Sequence, residues 1–283
     1  MTIQCLINTK QEGESVFYKD YQRNHVILPG RAEALEEFLR QEYEGQQHKW
    51  KHACNSNSED ALTWSCFDLL SNLTPRKKIL ALSEIFEDAY QGKENQFFGD
   101  GDHENEQVEI YVGKKYTGRS TKESTEVDAS IELPGKLVFV EAKLYSTVSV
   151  KSPGKPHDQI AKKLRVGLDS PLNDQREFYF IFLDIAPLDK LNESTRSEEE
   201  LLRQSRAGFG GKWKSAWLFD HYKNGGANGL SPLTEALDGI DAPPAQSVAN
   251  KMGWLTWSDL FKTTLRAVIS SDQEAMPCEN YIG

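Results

Sequence analysis

Residues 126–143 read EVDASIELPGKLVFVEAK, in which Asp128 and Glu141 are two of four acids and Lys143 follows Glu141 by two positions. Two carboxylates beside an ammonium can hold a hard cation, share a proton or orient a water, provided that the chain brings them together. Pro134-Gly135 offers the means. Proline presets φ at the first central position of a turn, and glycine takes the positive φ that the second needs in a type II turn. With Leu133 opposite Lys136, Asp128 lies across from Glu141 and Glu126 across from Lys143. Both strands support this register independently. Val127, Ala129, Ile131 and Leu133 share one face with Val138, Val140, Ala142 and Leu144, while Glu126, Asp128, Ser130 and Glu132 share the other with Glu141 and Lys143. A slip of one residue would mix the faces.

Directly opposed side chains sit roughly 5 Å apart at Cβ, where like charges destabilise a strand pair. A shared proton, the Lys143 ammonium or a divalent cation would each relieve the repulsion. Mg²⁺ prefers carboxylate and carbonyl oxygens and keeps several waters. Asp128, Glu141 and the Ala142 carbonyl therefore suggest a half-cage for Mg²⁺ or Mn²⁺. The plain alternative is a solvated antiparallel face of alternating charge, which many sheets display.

The elements that must position these groups are legible in outline. ALEEFLRQEYE (34–44), CNSNSEDALTWSCFDLLSNLTP (54–75) and KKILALSEIFEDAYQ (77–91) carry apolar residues at helical spacing. Glu59 follows Ser56 by three positions, the spacing of a capping box, and shares a helix face with Leu62, Cys66 and Leu70. QVEIYVGKKY (107–116) alternates with period two as one strand, the hairpin follows, and a helix runs through IAKKLRVGL (160–168). REFYFIFLDIAP (176–187) is a nearly continuous apolar run, suited to a central strand covered on both faces. Helix, helix, three strands, helix and strand imply an α/β (α+β) chain with a mixed β-sheet flanked by helices. The division expected is 1–54, a helical extension; 55–190, the core; and 191–283, a mostly helical region packed on it. Trp213, Trp217, Trp254 and Trp257 fall at helical or near-helical spacing, which suggests packing before base stacking.

The chain has 283 residues and a net charge of −10, which argues mildly against a polyanionic partner. Basic residues nevertheless gather near the hairpin, at Lys114, Lys115, Arg119 and Lys122 and from Lys151 through Lys155, Lys162 and Lys163 to Arg165. Cys5, Cys54, Cys66 and Cys278 have no metal-ligand spacing, and no secretory start or membrane-length apolar run is present. A reduced cytoplasmic protein is the simplest expectation.

Asp128 followed by Glu141-Ala142-Lys143 across a short hairpin resembles the PD-(D/E)xK nuclease superfamily, whose fold is restriction-endonuclease-like. The proline that precedes the aspartate in that pattern is replaced by Val127, and the likeness covers roughly residues 55–190. The resemblance implies a Mg²⁺-dependent hydrolase of phosphodiester bonds, in DNA before RNA, with one or two Mg²⁺ or Mn²⁺ per site. It implies Asp128, Glu141 and the Ala142 carbonyl as metal ligands, with Glu59 joining through water. Asp128, Glu141, Lys143 and Gln159 would be catalytic, Lys143 orienting or helping to deprotonate the attacking water and Gln159 helping to place Lys143 or the substrate backbone. Lys114, Lys115, Arg119, Lys151, Lys155 and Lys162 are the expected phosphate contacts. Paired cuts in a duplex would suit a homodimer, and no membrane partner is expected. Two other readings remain: a nucleic-acid or protein interaction module of the same fold without turnover, and a Mg²⁺-dependent phosphohydrolase of nucleotides.

Overall fold

Ser58 accepts the Ala61 N–H and starts the helix that carries Glu59 and Asp60 in its first turn (α3, Glu59–Ser71). The cap is Ser58 rather than Ser56, whose hydroxyl accepts the Val16 N–H instead. The computed structural model describes residues 15–42, 47–92, 97–98, 107–144, 146, 148–170, 176–185, 210–225 and 229–270. The stretch from 191 to 209, expected to belong to the C-terminal region, lies outside them. A 3-10 turn (Tyr21–Asn24) and two short α-helices, α1 (Ala32–Leu39) and α2 (His48–His52), precede α3, and α4 (Pro75–Tyr90) follows it with proline in the first turn. After β1 (Glu109–Val112) and the Pro134-Gly135 hairpin come α5 (Gln159–Leu168) and β6 (Glu177–Asp184). The C-terminal third holds α6 (Gly210–Lys223), α7 (Ser231–Ala236), α8 (Ala245–Asn250), β7 (Met252–Thr256) and α9 (Trp257–Ile269).

The hairpin forms in the expected register. β4 (Ala129–Leu133) and β5 (Lys136–Ala142) pair antiparallel with Leu133 opposite Lys136, and Gly135 takes φ 74°. The sheet order is β1-β4-β5-β6-β7, antiparallel as far as β5 and parallel from β5 to β7. β7, which the sequence left inside a helical region, is thus the fifth strand, so the C-terminal third shares the sheet. α3, α4 and α9 cover one face, where Val138, Val140 and Ala142 point. α5, α6, α7 and α8 cover the other, where Leu137 and Phe139 point. The N-terminal helices dock on α3 through Leu35, Phe38, Leu39, Ala53 and Trp64.

The segment 107–116 is two strands, not one. β1 pairs with β4 and β2 (Lys115–Thr117) pairs with β3 (Ser124–Glu126) in a separate ribbon. Val112–Ala129 and Lys115–Glu126 belong to one continuous antiparallel register, interrupted where Gly113 takes φ 68°. A Cβ at Gly113 would stand 2.6 Å from Gln41 Oε1 and 2.8 Å from Lys49 Nζ, so glycine serves both the bend and the close approach of the N-terminal helices.

Among the described residues, no helix is long and apolar enough to cross a membrane. Cys66 is free and buried, but Cys54 is disulfide-bonded, a departure from the fully reduced set expected. Linear spacing does not show which cysteines the fold brings together.

Candidate active site

Asp128 sits at the bend where the ribbon peels away from β5. Beyond Ala129–Val140 the strand β5 continues through Glu141 and Ala142 with no β4 residue paired to it. The Asp128 Oδ2 fills that gap by accepting the Ala142 N–H at 2.7 Å. In a strand the N–H and C=O of one residue point to the same neighbour, so the Ala142 carbonyl also faces Asp128. The backbone beyond is pinned on three sides. The Lys143 N–H donates to the Leu183 carbonyl at 2.7 Å, the Trp257 indole donates to the Lys143 carbonyl at 3.1 Å, and Glu59 Oε2 accepts the Leu144 N–H at 2.5 Å. Glu59 Oε1 accepts from Ser146 Oγ. Both oxygens of the expected water-mediated ligand thus hold the chain after β5.

The hairpin's polar face is buried, not solvated. Ser130, Glu132, Glu141 and Lys143 are all buried, and Tyr116 Oη accepts from Ser130 Oγ and donates to Glu132 Oε1. Glu141 is 0% exposed. Lys143 Nζ lies 2.8 Å from its Oε1, and Lys163 Nζ, from α5, lies against its Oε2. Both Glu141 oxygens are thus buried, each facing an ammonium. Lys163 Nζ is also 3.7 Å from Asp128 Oδ2, which places both carboxylates around one ammonium. Glu126, expected across from Lys143, instead pairs with the buried Lys49 of α2, because the chain turns into the ribbon before reaching β5.

These charges shape one another's titration. Burial works to raise the Asp128 pKa, but Lys163, Lys143, the Ala142 N–H and Lys49 outweigh it and hold the carboxyl below its ordinary value. Burial pushes the Lys163 ammonium below the usual lysine value, against the pull of Asp128, Glu126 and Glu59. Asp60, next to Glu59, is raised to about 6 by burial first and by Asp128 second, with Lys49 opposing.

The site opens on a cleft of about 860 Å³ lined by Asp60, Glu126, Asp128, Lys143 and Lys163, among others. Of the expected phosphate contacts, Lys155 and Lys162 line it. The other four lie elsewhere. Lys114 is held by Glu132 over the Tyr111 ring, Lys115 is exposed on the ribbon, Arg119 follows β2, and Lys151 lines a neighbouring cavity. Gln159 lines the cleft but bonds Ser149, its N–H donating to the Ser149 carbonyl and its Oε1 accepting the Ser149 N–H. It pins a loop rather than Lys143.

Lys163, Lys49 and Asp60 are the site residues that sequence reasoning missed. For Lys163 there was a signal. It falls with Ile160, Leu164 and Gly167 on the buried stripe of α5, where an unpaired lysine would be costly. Gly167 allows the approach, since a Cβ there would meet the Phe178 ring at 2.1 Å. Among the described residues, no three Asp, Glu, His or Cys side chains converge as cation ligands. Mg²⁺ needs only one or two carboxylates with carbonyl and water oxygens. Asp128, Glu141 and the Ala142 carbonyl are oxygen donors of that kind gathered at one strand end, with ammoniums now against both Glu141 oxygens. The chain matches no family model, no curated protein and no solved structure.

Proposed function

We propose that this chain is a Mg²⁺- or Mn²⁺-dependent nuclease that hydrolyses phosphodiester bonds, DNA foremost, on a restriction-endonuclease-like core. One observation carries the reading. At the end of β5, Asp128 and Glu141 surround Lys163 beside Lys143, and the group opens on a cleft edged by Lys155 and Lys162. Asp128, Glu141 and the Ala142 carbonyl would hold the cation. When bound, such an ion lowers the pKa of a coordinated water and offsets charge on a scissile phosphate.

The chain's own groups do the rest. Lys143, lining the cleft, presents a positive charge to phosphate oxygens and orients a water by hydrogen bonding. Lys155 and Lys162 bind backbone phosphates and make affinity fall with salt. Glu59 is a positioning residue that holds Leu144 and Ser146, and with them the Lys143 backbone.

The test incubates plasmid, linear and single-stranded DNA, RNA and nucleotides with the protein in Mg²⁺, Mn²⁺ or EDTA. Metal-dependent cutting of polymer, lost in Asp128→Asn and in Lys143→Ala while both variants keep the wild-type circular dichroism, supports the reading. Cutting retained by either variant refutes the residue assignment, and hydrolysis of nucleotides alone would move the activity to a phosphohydrolase.

A second reading has an observation of its own. Lys143 and Lys163 already face Glu141, and Lys163 also faces Asp128, so both carboxylates have an ammonium beside them without any added cation. That pairing favours a non-hydrolysing interaction module. Thermal stability that does not respond to Mn²⁺ or Mg²⁺ would select it.

A further inference from the structure

Beside the cleft, across a wall formed by Val150 and Asp158, lies a second cavity of about 350 Å³ between the 150–158 segment, α6 and α7. Trp217 and His221, one turn apart on α6, stack in it with ring centroids 5.0 Å apart and planes 16° apart. Trp254 and Trp257 are buried among core side chains. Trp217 is partly exposed and, among the described residues, belongs to none of the apolar clusters. Packing in the core accounts for the first two tryptophans, whereas Trp217 stacks on His221 at the cavity.

The wall is fixed. Asp158 accepts the Ala161 N–H at 2.9 Å and the Tyr222 hydroxyl at 2.5 Å, and the Val148 N–H donates to Ser215 Oγ at 2.9 Å. Lys151 and Glu235, both exposed, line it as well, with Leu218 and Pro232. The contents select a ligand class. A flat aromatic platform stacks a nucleobase. A lysine at the mouth can hold the phosphate attached to it, whereas the carboxylates of Asp158 and Glu235 repel phosphate from the cavity itself. A carboxylate also accepts from an exocyclic amino group.

We propose that this cavity is a subsite for one unpaired, amino-bearing nucleobase (adenine, cytosine or guanine) of the strand held in the cleft. The proposal rests on the nuclease reading. A base paired inside a duplex stays stacked on its neighbours and does not reach the cavity, so the subsite confers preference for single-stranded or frayed DNA.

The experiment measures binding of labelled single-stranded oligonucleotides and a blunt duplex to the full chain, by fluorescence anisotropy in EDTA so that nothing is cut. Trp217→Ala should bind single strands about 5- to 140-fold more weakly, the equivalent of the ~1–3 kcal/mol typical of one stacked base. Trp217→Phe should stay close to wild type, and duplex affinity should not change. Wild type should prefer oligo(dC) to oligo(dT), with the preference reduced in Glu235→Ala. Equal single-strand affinity of wild type and Trp217→Ala overturns the subsite and leaves the nuclease reading standing. Equal binding of oligo(dC) and oligo(dT) by wild type overturns the assigned base class. A wild type that binds no nucleic acid in EDTA and cuts none in Mg²⁺ overturns both.

Discussion

Replacing Asp60 by Asn removes one titrating carboxyl from the cleft without changing its shape. Burial and the neighbouring Asp128 raise this group from 3.8 to about 6. A raised folded-state value means that the native protein binds the proton more tightly than the unfolded chain. The stability contributed by this group is therefore complete below about pH 3.8 and is lost as pH rises through about 6. A shift of about two units at about 1.36 kcal/mol per unit amounts to roughly 3 kcal/mol. About one third of that is already lost at about pH 4.5, so roughly 2 kcal/mol remains to be read between about pH 4.5 and 7.5. Urea unfolding of wild type and Asp60→Asn across that window gives the measurement. The variant should gain on wild type steadily as pH rises, by about 2 kcal/mol in all, and then level off. Any fixed cost of the amide, such as a weaker interaction with the start of α3, moves the whole curve and not its slope. A stability difference that stays flat with pH would show that Asp60 is not crowded by Asp128, and the electrostatic description of the cleft would fail with it.

Other expectations follow from the same geometry. Lys163→Met leaves Asp128 and Glu141 facing each other without their shared ammonium, and should cost about 3–5 kcal/mol in EDTA. Mn²⁺ should then restore its melting temperature by more than it raises that of wild type, and a variant indifferent to Mn²⁺ would argue against a cation site. Gly113→Ala should destabilise the fold by about 1–3 kcal/mol in denaturant titrations, because it combines positive φ with a contact on Gln41 and Lys49. Lys162→Gln should reduce the slope of log affinity against log salt for duplex DNA by about 1, and an unchanged slope would place the phosphate track elsewhere.

The hairpin was open to reading from residues alone because its information is local. A Pro-Gly turn and two strands of period two admit a single register, and that register sets Asp128 beside the end of β5. β6 was equally plain, since a strand buried on both faces has to be apolar along its length. β7 was not. Its five residues, MGWLT, lie between helices, and their partner β6 is far away in sequence. The alternation of 107–116 also misled, because period two shows which way side chains point and not where a chain leaves its sheet. That break depends on Gly113 meeting Gln41 and Lys49 of the N-terminal segment.

What the linear chain determined by itself was the chemistry available along one edge: two acids, a backbone carbonyl and Lys143, ordered by a turn whose geometry needs no distant contact. The charge state of that edge was a matter for the tertiary structure. Lys163 from α5, Lys49 from α2 and Asp60 from α3 converge on it from three separate helices. Electrostatic energy depends on separation through space and on exclusion of water, and neither quantity is encoded by distance along the chain. The same reason explains why Glu59 became a clamp on Leu144 and Lys114 a partner of Glu132, while Asp60, next to Glu59, faces the cleft.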